Sequence, residues 1–307
     1  MASSRPTSTP ALPLWPSDSI GDLLKQLVRT PEVDLSGGLG RRLGPGARLG
    51  RFLLTHELGR GRSGVVYEAV DSERERAVAL KVLAPGPGGA PRGGGWAQRE
   101  AAELKRLDHP NIVALHGVGV GPAGAYLVYE LLRGRTLRQR LLDGPLDLAG
   151  ALQIAAEVAR GLAHAHALGL VHRGLTTGKV FICDDGTVKV LAFSPSRRLP
   201  SHWPACQGDA QLSPEQQSGW PGDERSDVYA LAALLQQMLA VATAAGQASR
   251  PSGPGLPRRL RSLLAAGLAS DPAERNQTAA EWLEELEAVR RGLDGRWPWR
   301  GLFHAAS

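Results

Sequence analysis

The chain has 307 residues, 42% hydrophobic and 21% charged, which suits one large or two small soluble domains with a proper core. Two cysteines, Cys183 and Cys206, are too few for a disulfide framework; with no signal-peptide core and no run approaching the ~20 apolar residues of a membrane span, a cytoplasmic protein in a reducing compartment is expected, with no membrane contact. A net charge of +6 raises nucleic acid as a partner, but the arginines are dispersed, clustering only at Arg133/Arg135/Arg138/Arg140 and Arg258/Arg259/Arg261, and aromatics do not interleave with them, so a solvated surface is the reading and nucleic acid is disfavoured.

Residues 1–46 are rich in Ser, Pro and Gly and read as a disordered leader. Within it Ile20, Leu23, Leu24, Leu27 and Val28 recur at helical spacing between Ser17 and Pro31, which predicts a short helix at 18–29. Its apolar stripe would pack either on the chain's own N-terminal lobe or on another protein. From 51 to 132 short apolar runs broken by turn residues predict an antiparallel sheet, interrupted by one helix at 96–107. The Pro/Gly-rich linker 85–95 before that helix is expected to be irregular. Helical patterns then cover 148–168, 227–240, 258–269 and 278–291, with one hairpin of 180–182 and 188–190 turning at Asp185-Gly186. The stretch 241–257 is Ala/Gly/Ser/Pro-rich, and 293–307 reads as a tail. The expectation is an α+β chain with a small sheet lobe joined to a larger helical one.

The motifs follow the same order. Gly59-Arg60-Gly61-Arg62-Ser63-Gly64-Val65-Val66 is a G-x-G-x-x-G-x-V turn, and Val78-Ala79-Leu80-Lys81 follows at the spacing of a third strand. His109-Pro110-Asn111-Ile112-Val113 and the apolar run Tyr126-Leu127-Val128-Tyr129-Glu130-Leu131 come next. His172-Arg173-Gly174-Leu175-Thr176-Thr177-Gly178-Lys179-Val180 stands beside the pattern H-R-D-L-x-x-x-N, Leu191-Ala192-Phe193-Ser194 beside D-F-G, and Ser213-Pro214-Glu215 beside A-P-E. Ser226-Asp227-Val228-Tyr229 and Asp271-Pro272-Ala273-Glu274-Arg275 close the series. Together these segments, over about 49–292, resemble the protein kinase superfamily, and most of all the bacterial (Hanks-type) Ser/Thr kinases. The resemblance implies a bilobal fold: an N-lobe at 49–132, an antiparallel sheet with one helix, and a larger helical C-lobe at 133–292.

What the resemblance implies for the site can be taken residue by residue. Gly59, Gly61 and Gly64 would let backbone N–H groups approach phosphates, and Lys81 would reach the α/β-phosphates. Glu100 would orient Lys81, with Glu103, one helical turn on, as its rival. Val66, Ala79 and Phe181 would sandwich an adenine at a hinge containing Glu130, and Phe181 is bulkier than the aliphatic usual there. Gly174 stands where a proton-accepting Asp belongs; Lys179 and Ala192 stand where the Asn and Asp hold magnesium. Thr176 replaces a Lys. ATP or ADP is therefore the expected ligand, held without magnesium, and no metal ligands are assigned. Two readings of Lys179 stand side by side: an ammonium that neutralises the nucleotide phosphates, or a drifted side chain pointing to solvent.

Other residues carry shape. Leu104, His172 and Phe193 fill the slots of the family's interlobe apolar stack above Asp227, and Glu215 and Arg275 those of its buried ion pair. His164, His166 and His172 are read as structural, Asp184 and Asp185 as turn residues, and Ser194, Ser196 and Ser201 as the hydroxyls open to phosphorylation in their segment. The leading expectation is a pseudokinase, not an enzyme, acting as a regulatory or scaffolding module on a protein partner such as a kinase or signalling protein. The alternatives are a weakly active protein Ser/Thr kinase and a nucleotide-free scaffold.

Overall fold

The computed structural model describes residues 43–294 apart from 62–63, 85–93, 122, 194–211 and 245–255. The leader helix expected at 18–29, the serines 194, 196 and 201, most of the 241–257 stretch and the tail beyond 294 lie outside the described residues.

The N-lobe is an antiparallel sheet of six strands. In chain order these are β1 (Arg48–Leu49), β2 (Phe52–Gly61), β3 (Gly64–Asp71), β4 (Arg76–Leu83), β5 (Leu115–Gly121) and β6 (Gly124–Glu130), and across the sheet they run β1-β2-β3-β4-β6-β5. Strand alternation explains the two faces. Val65, Tyr67, Ala69, Val78, Leu80 and Val82 bury one side with Phe52, Tyr126 and Val128, while Val66 and Ala79 turn to the interlobe side. Gly64 is obligatory: with φ +140° and the Val82 carbonyl oxygen 1.9 Å from where a Cβ would sit, β3 and β4 can approach only there without a side chain. Residues 43–46, assigned to the leader from composition, pack on this sheet: the Tyr67 hydroxyl donates to the Leu43 carbonyl at 3.2 Å, and Gly46 N–H to Leu54 O at 2.8 Å.

Helix α1 (Gly94–Leu104) packs on β5 and β6. It begins inside the stretch assigned to the irregular linker: Gly94 and Gly95 are helical, and Ala97, Ala101 and Leu104 supply its buried stripe. Beyond the hinge come β7 (Gly134–Thr136) and α2 (Leu137–Leu142), which periodicity did not predict. Thr136 and Gln139 explain them by a reciprocal capping box, the Gln139 N–H donating to Thr136 Oγ1 at 3.1 Å and Thr136 N–H to Gln139 Oε1 at 2.9 Å.

The C-lobe is organised around α3 (Leu148–Ala167), capped by Asp147 and buried along most of its length. Gly161 lets it run against the 109–113 segment, where a Cβ would come within 2.9 Å of the Asn111 carbonyl. The predicted hairpin forms as β8 (Val180–Cys183) and β9 (Val188–Val190), with Phe181 opposite Lys189, and pairs with β7 in a second sheet. Asn111 ties this hairpin to the N-lobe lead-in, its amide donating to Val188 O at 2.8 Å and its carbonyl accepting from Val190 N–H at 2.8 Å. Helices α4 (Pro214–Gln217), α5 (Glu224–Ala244), α6 (Arg258–Gly267) and α7 (Ala279–Asp294) complete the lobe. On α6 the exposed arginines 258, 259 and 261 face away from buried Leu260, Leu263 and Leu264. No helix among the described residues is long and apolar enough to cross a membrane.

The expected ion pair between α4 and the segment before α7 forms. Arg275 donates to both Glu215 carboxylate oxygens at 2.8 Å, and its remaining N–H groups reach the carbonyls of Ala269, Ser270 and Arg225. Every donor of a buried guanidinium is thus used. Burial pushes the Glu215 carboxyl up, but hydrogen bonds from Arg275, Ser226 and Ser213 outweigh it and hold it at about 2. A carboxyl depressed in the folded state stabilises the fold above its ordinary value near 4.5 and loses that contribution as pH falls toward about 2. Arg275→Ala is expected to cost about 3–5 kcal/mol in urea unfolding at neutral pH, and its deficit relative to the unsubstituted protein should shrink through that acid window.

Candidate nucleotide and catalytic site

The catalytic-loop segment is held from beneath by one buried carboxylate. Asp227, on the first turn of α5, accepts from the N–H of His172 at 2.7 Å, the N–H of Arg173 at 2.8 Å and the His166 ring at 3.0 Å. Burial raises this carboxyl, yet the His166 and His172 contacts outweigh it and keep it below the usual carboxylate range. His172 is completely enclosed. Its Nδ1 accepts the Gly174 N–H at 3.2 Å, so Nε2 carries the proton and donates to Leu191 O at 2.9 Å. Burial, reinforced by the Lys179 ammonium, lowers this imidazole to about 4, so it is neutral at physiological pH. The His172 ring meets Phe193 edge-on with centroids 4.8 Å apart, and Leu104 joins Phe193 in the core. The interlobe stack expected from the motifs is assembled.

Around this frame the chemistry has changed. Lys179 closes a short 3-10 turn after Thr176, and its Nζ lies 3.0 Å from where a side chain at Gly174 would begin. The solvent-pointing reading of Lys179 is therefore set aside: the ammonium sits at the centre of the catalytic loop and is felt by His172. Ala192 keeps a left-handed backbone at φ +61°, and Arg173 one at φ +58°. Such a φ is strained for alanine and far easier for aspartate or asparagine. The backbone frame of a metal-binding Asp persists without its carboxylate. Magnesium, which the family implies, finds no side-chain oxygen at either slot, since an ammonium and a methyl group stand there. Among the described residues no other group of His, Cys, Asp or Glu is placed to hold a metal ion.

The predicted nucleotide residues converge on the interlobe face. Gly59 pairs with Val66 and Gly61 with Gly64 across β2 and β3, and Lys81 of β4 lies between Val66 and Leu127. Residues 62–63, at the tip of the glycine turn, are outside the described set. Of the rival acids, Glu103 points outward and pairs with Arg106 at 2.9 Å, whereas Glu100 faces inward. Its charge is felt by Tyr129, whose hydroxyl is driven well above its ordinary value by burial first and by the Glu100 carboxylate second. Tyr129 thus walls the back of the slot, a role missed in the sequence although its bulk at the end of β6 was in view. Glu130 uses its side chain within the protein. Its carboxylate accepts the Ala114 N–H at 2.7 Å and the Lys189 ammonium at 2.8 Å, and its own N–H goes to Ala114 O. Its side chain braces the hinge against β9.

A sheet lobe over a helical lobe, with a glycine turn, a strand lysine and an Asp-anchored catalytic loop facing the cleft, defines the protein-kinase class of fold. The chain belongs to the protein kinase domain family, whose profile matches residues 52–280. Similar sequences include the serine/threonine-protein kinase PrkC of Bacillus subtilis, 31% identical over 261 residues, covering 78% of this chain and 40% of that protein. PknL of Mycobacterium tuberculosis is 31% identical over 265 residues, covering 79% and 66%, and PknA of the same species is 32% identical over 268 residues, covering 79% and 62%. The chain therefore spans less than two thirds of these relatives' length. The crystal structure of the M. tuberculosis PknI kinase domain superposes with a TM-score of 0.64 at 25% identity, covering 80% of this chain and 99% of that one. These relatives overturn the expectation that the chain is no enzyme. They are named Ser/Thr kinases, an enzyme family, and the chain belongs to that family with Gly174, Lys179 and Ala192 at the three positions.

Gly174→Asp alone is expected to leave phosphoryl transfer unimproved, because the new carboxylate would begin beside the Lys179 ammonium and pair with it. Combined with Lys179→Asn and Ala192→Asp, it should raise transfer from labelled ATP by on the order of 10²-fold or more.

Proposed function

We propose that this domain binds ATP or ADP in the interlobe slot and is a weak protein Ser/Thr kinase with atypical catalytic residues. The observation that carries this reading is Lys179. Its ammonium stands beside Gly174, where family members gather metal and phosphate, and supplies positive charge without a metal. Lys81, on the rigid β4, would hold the α/β-phosphates.

In the reaction, a substrate hydroxyl oxygen forms the new bond to the γ-phosphorus, the bond from the γ-phosphorus to the β,γ-bridging oxygen breaks, and ADP leaves carrying that oxygen. With no carboxylate at Gly174, the hydroxyl proton passes to the transferred phosphoryl oxygens. The missing base alone removes about 10²–10⁴-fold from a family rate of about 1–100 s⁻¹, so slow turnover is the expectation. A second reading is a module whose nucleotide occupancy regulates its engagement of a protein partner. It is favoured by the intact stack of Leu104, His172 and Phe193.

A labelled-ATP transfer assay on a general protein substrate, run beside thermal shift with ATP in EDTA and in magnesium, tests both. The expected result is slow transfer abolished by Lys81→Ala, with a nucleotide shift that survives the chelator. A nucleotide shift without any transfer would leave only the second reading. A strict magnesium requirement would end the role given to Lys179.

A further inference from the structure

The adenine slot is closed by the chain itself. Phe181 is held at the middle of β8 by pairing with Thr136 on one side and Lys189 on the other. It is 0% exposed. Its ring belongs to one contiguous apolar cluster with Leu58, Val66 and Ala79 of the sheet lobe and with Leu132 and Leu191, and Tyr129 packs against the same cluster. Val66 is 5% exposed, Ala79 1% and Leu58 1%. A flat base held between two apolar faces needs them about 7 Å apart, twice the 3.5–4.0 Å contact distance. A gap of that width would admit water to the faces lining it, and these faces expose almost nothing. Roof and floor join in one contiguous apolar cluster, with Phe181 its largest fully buried member.

We infer that Phe181 is an intramolecular plug: its ring takes the place of the adenine, and a nucleotide enters only when the lobes part or the ring swings aside. The inference rests on the nucleotide-binding reading above and adds what controls access to that site. A protein whose binding-competent form is the minor one binds with an affinity reduced by that fraction; an open population of about 10% or less weakens apparent binding about tenfold or more. The closed form also satisfies the interlobe apolar surface without a ligand, so the two lobes have a shared core even when the slot holds no nucleotide.

Calorimetric titration of ADP into the protein, in EDTA and separately in magnesium, tests this with Phe181→Leu, which shortens the floor, and Val66→Ala, which trims the roof without touching β8. Phe181→Leu is expected to tighten ADP binding about tenfold or more, and Val66→Ala to tighten it by a smaller factor, in both buffers. Unchanged or weaker binding in both variants, with measurable binding in the parent, would overturn the plug and leave the nucleotide reading standing. Absence of binding in all three proteins under both conditions would overturn the nucleotide reading and the plug with it.

Discussion

The site depends on a single buried carboxylate. Asp227 accepts from two consecutive backbone N–H groups of the catalytic loop and from the His166 ring. A buried anion with three donors is stable where an unpaired one would be ruinous, and so the loop cannot relax without exposing that charge. The consequences reach outward: the loop fixes His172, His172 fixes its tautomer through Gly174 and Leu191, and Phe193 packs on the His172 ring. Shape in this cleft is therefore independent of the groups that perform catalysis elsewhere in the family.

That separation explains how three positions could change while the frame stayed. The three donors that Asp227 holds come from His166, His172 and Arg173, not from Gly174, Lys179 or Ala192. Under the proposed reading, Lys179 would exchange a recruited divalent charge for a resident monovalent one. An ammonium is permanently in place and needs no recruitment, but it cannot bridge two phosphate oxygens in the fixed octahedral geometry of a magnesium ion.

Much of this was legible in the residues. Turn glycines, the strand lysine, the His-Pro-Asn lead-in and the Glu215–Arg275 pair each carry a backbone or charge requirement that motif spacing preserves, and the structure assembles them. The hairpin of β8 and β9 was readable because Asp185-Gly186 dictates its turn and register. What escaped were features set by tertiary contact. Strand β7 and helix α2 are too short for a periodic signal and depend on the Thr136–Gln139 cap. Glu130 looked like a hinge ligand because spacing gives position along the strand and not the side-chain partner; the partners turned out to be Ala114 and Lys189. The direction of Lys179 and the complete enclosure of Phe181 are likewise matters of packing between lobes.

The left-handed residues beside the cleft have one more implication. Arg173 and Ala192 hold their peptide groups in a conformation that costs about 1–2 kcal/mol per residue for ordinary side chains, and the surrounding hydrogen bonds sustain it. That conformational work is completed during folding. Arg173 commits its N–H to Asp227 and its carbonyl to Gln216, so this edge of the cleft is held by main-chain groups whose partners lie within the protein, and it would persist through substitution of the side chains around it.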